Sequence, residues 1–159
     1  MSEDARFEDG GERPLNLGAL DDDDLKVIST LVQDAVFPIT EMSWRPGEGR
    51  FALLLNRFRW EDAENAKRRG RAVERVQSLL VFDTVLKVAS QGIDRSDKDM
   101  ILSLLSVQFE AGEDSAGHIE LTLAGDGGVR LAVEALDVTL KDVTRPYLAP
   151  SRHTPGHPD

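Results

Sequence analysis

The sequence predicts an α+β fold: a mostly antiparallel sheet or half-open barrel of about seven strands, with one N-terminal amphipathic helix packed on it. Three observations point that way. Apolar residues alternate with period two through most of the chain beyond Pro38. A single run, residues 25–35, has clear helical spacing. Short turns join one strand directly to the next, which leaves no helices for the crossovers that a parallel sheet requires.

The elements follow in order. "PLNLGAL" (14–20) sets Leu15, Leu17 and Ala19 against polar or small neighbours and reads as a first strand. In "DDDDLKVISTLVQDAVF", Leu25, Ile28, Leu31, Val32 and Ala35 recur at three and four residues, one face of a helix. Asp21 or Asp22 can cap it, and the acids that follow sit in its first turn, where the backbone dipole favours negative charge. "EMSWRPGEGRFALLLNRFRW" gives two strands joined by a turn at Pro46, Gly47, Glu48 and Gly49. Residues 61–73 read as a charged loop or short exposed helix. Residues 74–93 form either two strands turning near Asp83 or one strand with a bulge. "DRSDKD" (94–99) is a turn. Strict alternation in "MILSLLSVQFE" places Ile101, Ser103, Leu105, Val107 and Phe109 on one face. "HIELTLAGDGGVRLAVEA" is a hairpin turning on its glycines, and "LDVTLKDV" is a further strand or short helix.

The 159 residues suit one domain, and a chain of about 150 residues buries enough surface for a core without staples. We divide it into a flexible acidic arm (1–13), a single α+β domain (14–147) and a Pro-rich tail (148–159). There is no cysteine, so disulfides, thiol nucleophiles and thiolate metal sites are excluded. The acidic start has no apolar stretch of the signal-peptide kind, and no run is long enough to span a bilayer. The expected setting is cytoplasmic, with no membrane partner. A net charge of −10 opposes nucleic-acid binding by the surface as a whole. The charge is uneven. Residues 1–24 carry nine acids against two bases, a net of −7, and residues 50–75 carry eight bases against four acids, a net of +4.

Four stretches, "RFALLLNRFRWED", "ERVQSLLVF", "SQGIDRSDKDMILSLLSVQFE" and "LTLAGDGGVRLAVEALDVTLKDVTRPYLAPS", resemble a family found mainly in alphaproteobacteria and described as a domain of unknown function (DUF2948). The resemblance runs from Leu15 to Ser151. It implies a bacterial cytoplasmic protein standing as a single domain, and it brings no catalytic residues.

The residues themselves carry little that points to catalysis. Of three histidines, His153 and His157 lie in the tail, and His118 alternates with Glu120 and Thr122 as a solvent-facing residue would. A Ser-His-Asp system needs a rigidly held histidine. The tail ligands His153, His157 and Asp159 have no fixed geometry for a metal. "DRSDKD" lacks the glycine and distal glutamate of a calcium loop, so neither metal nor cofactor is expected. What remains is the end of "RFALLLNRFRWED". Arg57 and Arg59 would project from one side of a strand, about 7 Å apart, with Trp60 on the other side and Trp44 across the hairpin. Two forked donors at that spacing suit a carboxylate or phosphate. In the alternative, the arginines pair with Glu61, Asp62 or Glu64 at a solvated strand end. Gln33, Asn56 and Gln77 are polar residues set in apolar patterns and are candidates to line a pocket. The expectation is a non-catalytic binding or interaction module, self-associating through an exposed strand edge or an apolar sheet face. The alternative is a small enzyme or binding protein that holds an anionic metabolite with Arg57 and Arg59. A nucleic-acid contact through residues 67–75 is opposed by the overall acidity.

Overall fold

The computed structural model describes residues 13–148. Ten strands pair antiparallel throughout: β1 (Asn16–Ala19), β2 (Ala35–Pro38), β3 (Met42–Arg45), β4 (Arg50–Phe58), β5 (Arg75–Phe82), β6 (Val85–Gln91), β7 (Ile101–Ala111), β8 (Gly117–Leu123), β9 (Gly128–Val133) and β10 (Val138–Asp142). Two α-helices join them, α1 (Asp22–Leu31) and α2 (Ala63–Arg68). The sheet runs β1-β10-β5-β4-β2-β7-β8-β9-β6, and β3 pairs with β4 beside this path.

Ten strands exceed the roughly seven that periodicity suggested, for three local reasons, the first being that residues 138–142 take the strand and not the helix alternative as β10. Residues 75–91 split into β5 and β6 at Asp83 and Thr84, where Thr84 takes a left-handed φ of 56°. The helical run also ends early. Asp34, at φ 65°, turns the chain after α1, so Ala35 is the first residue of β2 and not part of the helix. At its start, α1 behaves as the acids suggest: the Asp21 carboxylate accepts from Asp24 N at 2.8 Å, and Asp22, Asp23 and Asp24 occupy the first turn. Leu25 and Ile28 are buried, and Ser29 Oγ accepts from Val107 N at 2.9 Å, tying the helix to β7.

The sheet must curl. Only two residues join β5 to β6, yet six strand intervals separate them along the sheet. On a flat sheet that distance would be roughly 29 Å at about 4.8 Å per interval. Three residue steps of chain reach about 10 Å. The link from β9 to β10 also crosses six intervals, with four intervening residues. Both links therefore fold one half of the sheet over the other, and hydrogen bonds fix the corners: Val85 N donates to Gly49 O at 2.8 Å, and Thr84 Oγ1 to Ala135 O at 2.7 Å. The inner faces of the two halves meet in one core that includes Leu53, Leu80, Phe82, Leu104, Leu121 and Leu131.

In β7 the expected alternation fails. A register shift between Leu104 and Ser106 inserts one residue, so Leu102 and Leu104 face the core before it and Val107 after it. Ile101 and Leu105 consequently face outward, 61% and 40% exposed. No helix among the described residues is long and apolar enough to cross a membrane. Residues 1–12 and 149–159, which hold most of the acidic arm and the tail with His153, His157 and Asp159, lie outside the described residues.

Candidate functional site

Strand β4 has two chemically different ends. Its odd residues Phe51, Leu53 and Leu55 face the core, and Arg57 continues on that same face, wholly buried. A buried guanidinium is stable only if its charge and its five N–H donors are matched. Here they are. Arg57 Nη1 and Nη2 meet the two oxygens of Glu61 at 2.9 Å each, and Nη1 also donates to Phe58 O at 3.1 Å. Nη2 reaches Asp142 Oδ1 and Oδ2 at 3.0 Å each. Nε is shared between Ser78 Oγ at 3.0 Å and Asp142 Oδ1 at 3.1 Å, and Ser78 Oγ itself donates to Asp142 Oδ1 at 2.6 Å. Burial works against the Arg57 charge, but Glu61 and Asp142 outweigh it and hold its pKa above the ordinary arginine value.

Arg59, just past the end of β4, is also buried, and its Nη1 donates to Glu74 and to Asp62. Asp62 further accepts from Arg71 Nη2 at 2.6 Å and Asn65 Nδ2 at 3.2 Å. Burial alone would raise the Asp62 pKa; the hydrogen bonds from Arg71 and Asn65 and the charges of Arg59 and Arg71 hold it below the usual carboxylate range. The cluster thus sets three guanidiniums, Arg57, Arg59 and Arg71, against four carboxylates, Glu61, Asp62, Glu74 and Asp142. It is an ion-pair network inside the fold, with an excess of negative charge.

This geometry corrects the expected anion clamp. Arg57 offers no free donor and no exposed surface, and Trp44 is not its neighbour. Trp44 pairs with Phe51, six residues from Arg57 and roughly 20 Å away along the strand. Trp60 does pack on Phe58, ring centroids 5.3 Å apart, and its Nε1 donates to Gln33 O at 2.9 Å. The Arg75 guanidinium lies 4.8 Å from the centre of the Phe58 ring, a cation–π contact. Gln33, Asn56 and Gln77 line neither of the two depressions described below. Gln33 is exposed; Asn56 and Gln77 are register partners on β4 and β5, and Asn56 Oδ1 accepts from Tyr147 Oη at 2.8 Å.

The other end of β4 holds a cavity of about 250 Å³ lined by Ile39, Thr40, Met42, Trp44, Phe51, Val88, Arg95 and Lys98. It opens where the curled sheet fails to close. Among the described residues, β3 supplies Met42 and Trp44 and pairs only with β4, while β6 supplies Val88 and pairs only with β9. Ile39 and Phe51 are buried, Met42, Trp44 and Val88 partly so, and the exposed Arg95 and Lys98 reach it from the turn after β6. A second depression of about 600 Å³ lies over β6, β8 and β9. Its Arg130 is paired with Glu110 and Glu120, and Ser90, Gln91, Thr122 and Asp126 leave it a solvated polar surface.

Trp44 is therefore the one predicted site residue that lines the cavity. Arg95 and Lys98 escaped sequence reasoning because each stands between aspartates in "DRSDKD" and reads there as part of a capped turn. The turn is indeed capped: Asp94 Oδ1 accepts from Ser96 N at 3.0 Å and from the Ser96 hydroxyl, and Asp97 Oδ1 from Asp99 N at 3.1 Å. Among the described residues, no group of three or more His, Asp or Glu is arranged to hold a metal ion. A family model described as a protein of unknown function (DUF2948) matches residues 15–157. No curated protein and no solved structure matches the chain.

Proposed function

The chain belongs to the DUF2948 family, and from that premise we propose that it is a non-catalytic binding module that takes up a small, largely apolar molecule in the seam beside Trp44. One observation carries this reading. The unclosed seam between β3 and β6 leaves aromatic and aliphatic side chains lining a cavity of about 250 Å³, room for roughly eight water-sized groups at about 30 Å³ each. Apolar walls with a few polar groups at the mouth are the usual make-up of a small-molecule site. General acid–base chemistry needs a group whose pKa lies near the working pH; among the described residues, the ionisable side chains in the lining are an arginine and a lysine, both exposed. That favours binding over catalysis. A bacterial cytoplasmic setting completes the reading, resting on the family resemblance.

The two tryptophans make the test direct. Trp60 packs on Phe58, away from the cavity lining, so Trp60→Phe leaves Trp44 as the sole indole reporter. Titration with octanol should change the Trp44 emission saturably, and Val88→Phe, which narrows the seam, should weaken the response by about tenfold or more, the worth of filling the space of a few methylenes. An emission that never saturates would end the cavity reading.

A further inference from the structure

We propose that the seam selects amphipathic anions: molecules of roughly eight to ten non-hydrogen atoms with an aliphatic or aromatic body and a carboxylate at one end, the body against Trp44 and Phe51 and the carboxylate at Arg95 and Lys98. The inference rests on the cavity reading above and adds the head group to it.

Three features carry it. First, the charged side chains that line the cavity are of one sign. Arg95 and Lys98 are the charged residues of its lining, and the rest is apolar apart from Thr40. Secondly, those cations are not matched by the acids next to them in sequence. In "DRSDKD" Arg95 follows Asp94 and Lys98 stands between Asp97 and Asp99, and pairing within the turn would be the simple expectation. The fold uses Asp94 and Asp97 otherwise, as acceptors for the backbone of their own turn. The Ser96 hydroxyl and amide also keep the Asp94 carboxyl below its ordinary range. Among the described residues, neither Arg95 nor Lys98 has a carboxylate oxygen within ion-pair distance; Arg95 Nη2 makes only a long contact, 3.4 Å, to Ser90 Oγ.

Thirdly, the turn is held at the seam by backbone geometry. Gly92 leaves β6 with φ +70°, and a Cβ there would come within 2.9 Å of Gly127 Cα. Gly92 thus seats the start of the turn against the β8–β9 hairpin. At the far end, Met100 O accepts from Ile39 N at 2.9 Å, and Ile39 is itself part of the cavity wall. The cations are carried on a segment anchored at both ends. The protein as a whole is strongly acidic, at −10, so general attraction would not draw an anion to it. A preference for carboxylates has to arise locally, and it should weaken with added salt because both cations are exposed.

The experiment uses the full chain carrying Trp60→Phe and three probes of equal length, octanoate, octanol and octylamine, each followed by Trp44 emission at low and high salt. Octanoate should bind about tenfold more tightly than octanol, since two exposed charge contacts each contribute less than that alone, and octylamine more weakly than either. Arg95→Gln combined with Lys98→Gln should erase the preference for octanoate and leave octanol binding intact. Lys98→Glu alone should invert the order of octanoate and octylamine. If octanoate and octanol bind alike and the double substitution changes neither, the head-group assignment is wrong while the cavity reading survives. If none of the three binds, the cavity reading fails and the assignment falls with it.

Discussion

At one end of β4, Arg57 and Arg59 are buried and bound to carboxylates of their own chain; at the other, Arg95 and Lys98 stand exposed at the mouth of an apolar cavity. In the sequence, Arg57 and Arg59 resemble a binding site, whereas Arg95 and Lys98 resemble part of a turn. The structure buries the first pair and leaves the second exposed, and the difference lies in where the acids go. At the Arg57 end, Asp142 arrives from 85 residues away and Glu61 from the next turn, and together they consume the guanidinium. At the Trp44 end, Asp94 and Asp97 lie adjacent to the bases but face back into their own backbone. Availability of a cation depends on what its neighbouring acids are already bonded to. Proximity in sequence does not decide it.

The contrast can be broken or sharpened by measurement. The largest effect belongs to the buried end. Asp142→Ala removes one of two carboxylates from a fully buried arginine, together with the acceptor of Ser78 and of Leu15 N. A loss of about 3–5 kcal/mol is expected, the range for breaking a buried pair, read as a lower urea midpoint at unchanged slope. A loss below about 1 kcal/mol would put this network in the class of surface pairs and dissolve the distinction between the two ends.

An intermediate effect concerns acid. Asp62 has its pKa lowered in the folded protein, so it stabilises the fold above the unfolded carboxylate value, near pH 4. That contribution fades as pH falls through the lower folded value. Urea unfolding at successive acidic pH values should therefore show Asp62→Asn with a flatter decline than the native chain, by at most about 1.4 kcal/mol per pH unit, the worth of one proton. Parallel declines would mean that Asp62 titrates alike in both states. The smallest effect is reserved for the open end: Arg95→Gln with Lys98→Gln should shift stability by no more than about 0.5 kcal/mol, as for surface sites without partners. A larger loss would show that the two cations support the fold.

Much of the local structure was legible in the residues. The capped start of α1, the turn at Pro46 to Gly49 and the hairpin of β8 and β9 follow from aspartates, proline and glycines at the positions their backbones require. Two errors of pattern have equally local origins. The helical spacing of residues 25–35 ran through Asp34, whose left-handed φ no periodicity reveals, and the extra residue in β7 moved Leu105 from the core face to the surface. The site was harder to read. Arg57 sat in an alternation that placed it on the core face with Phe51, Leu53 and Leu55, but its charge suggested that the face turned to water there. The pattern was the better guide.

The sequence by itself determined that the chain builds an antiparallel sheet with few helices, that it has no thiol chemistry, and that its positive charge concentrates around β4 and the segment after it. These properties depend on residue type and on neighbours a few positions apart, and both are present in a linear string. Only the tertiary structure decided that the sheet curls without closing, that Asp142 reaches Arg57, and that Trp44 shares a cavity with Arg95 and Lys98. Those facts depend on two short links, β5 to β6 and β9 to β10, that carry the chain across six strand positions. Where such links leave the sheet unclosed is set by how the whole core packs, and no local pattern encodes it.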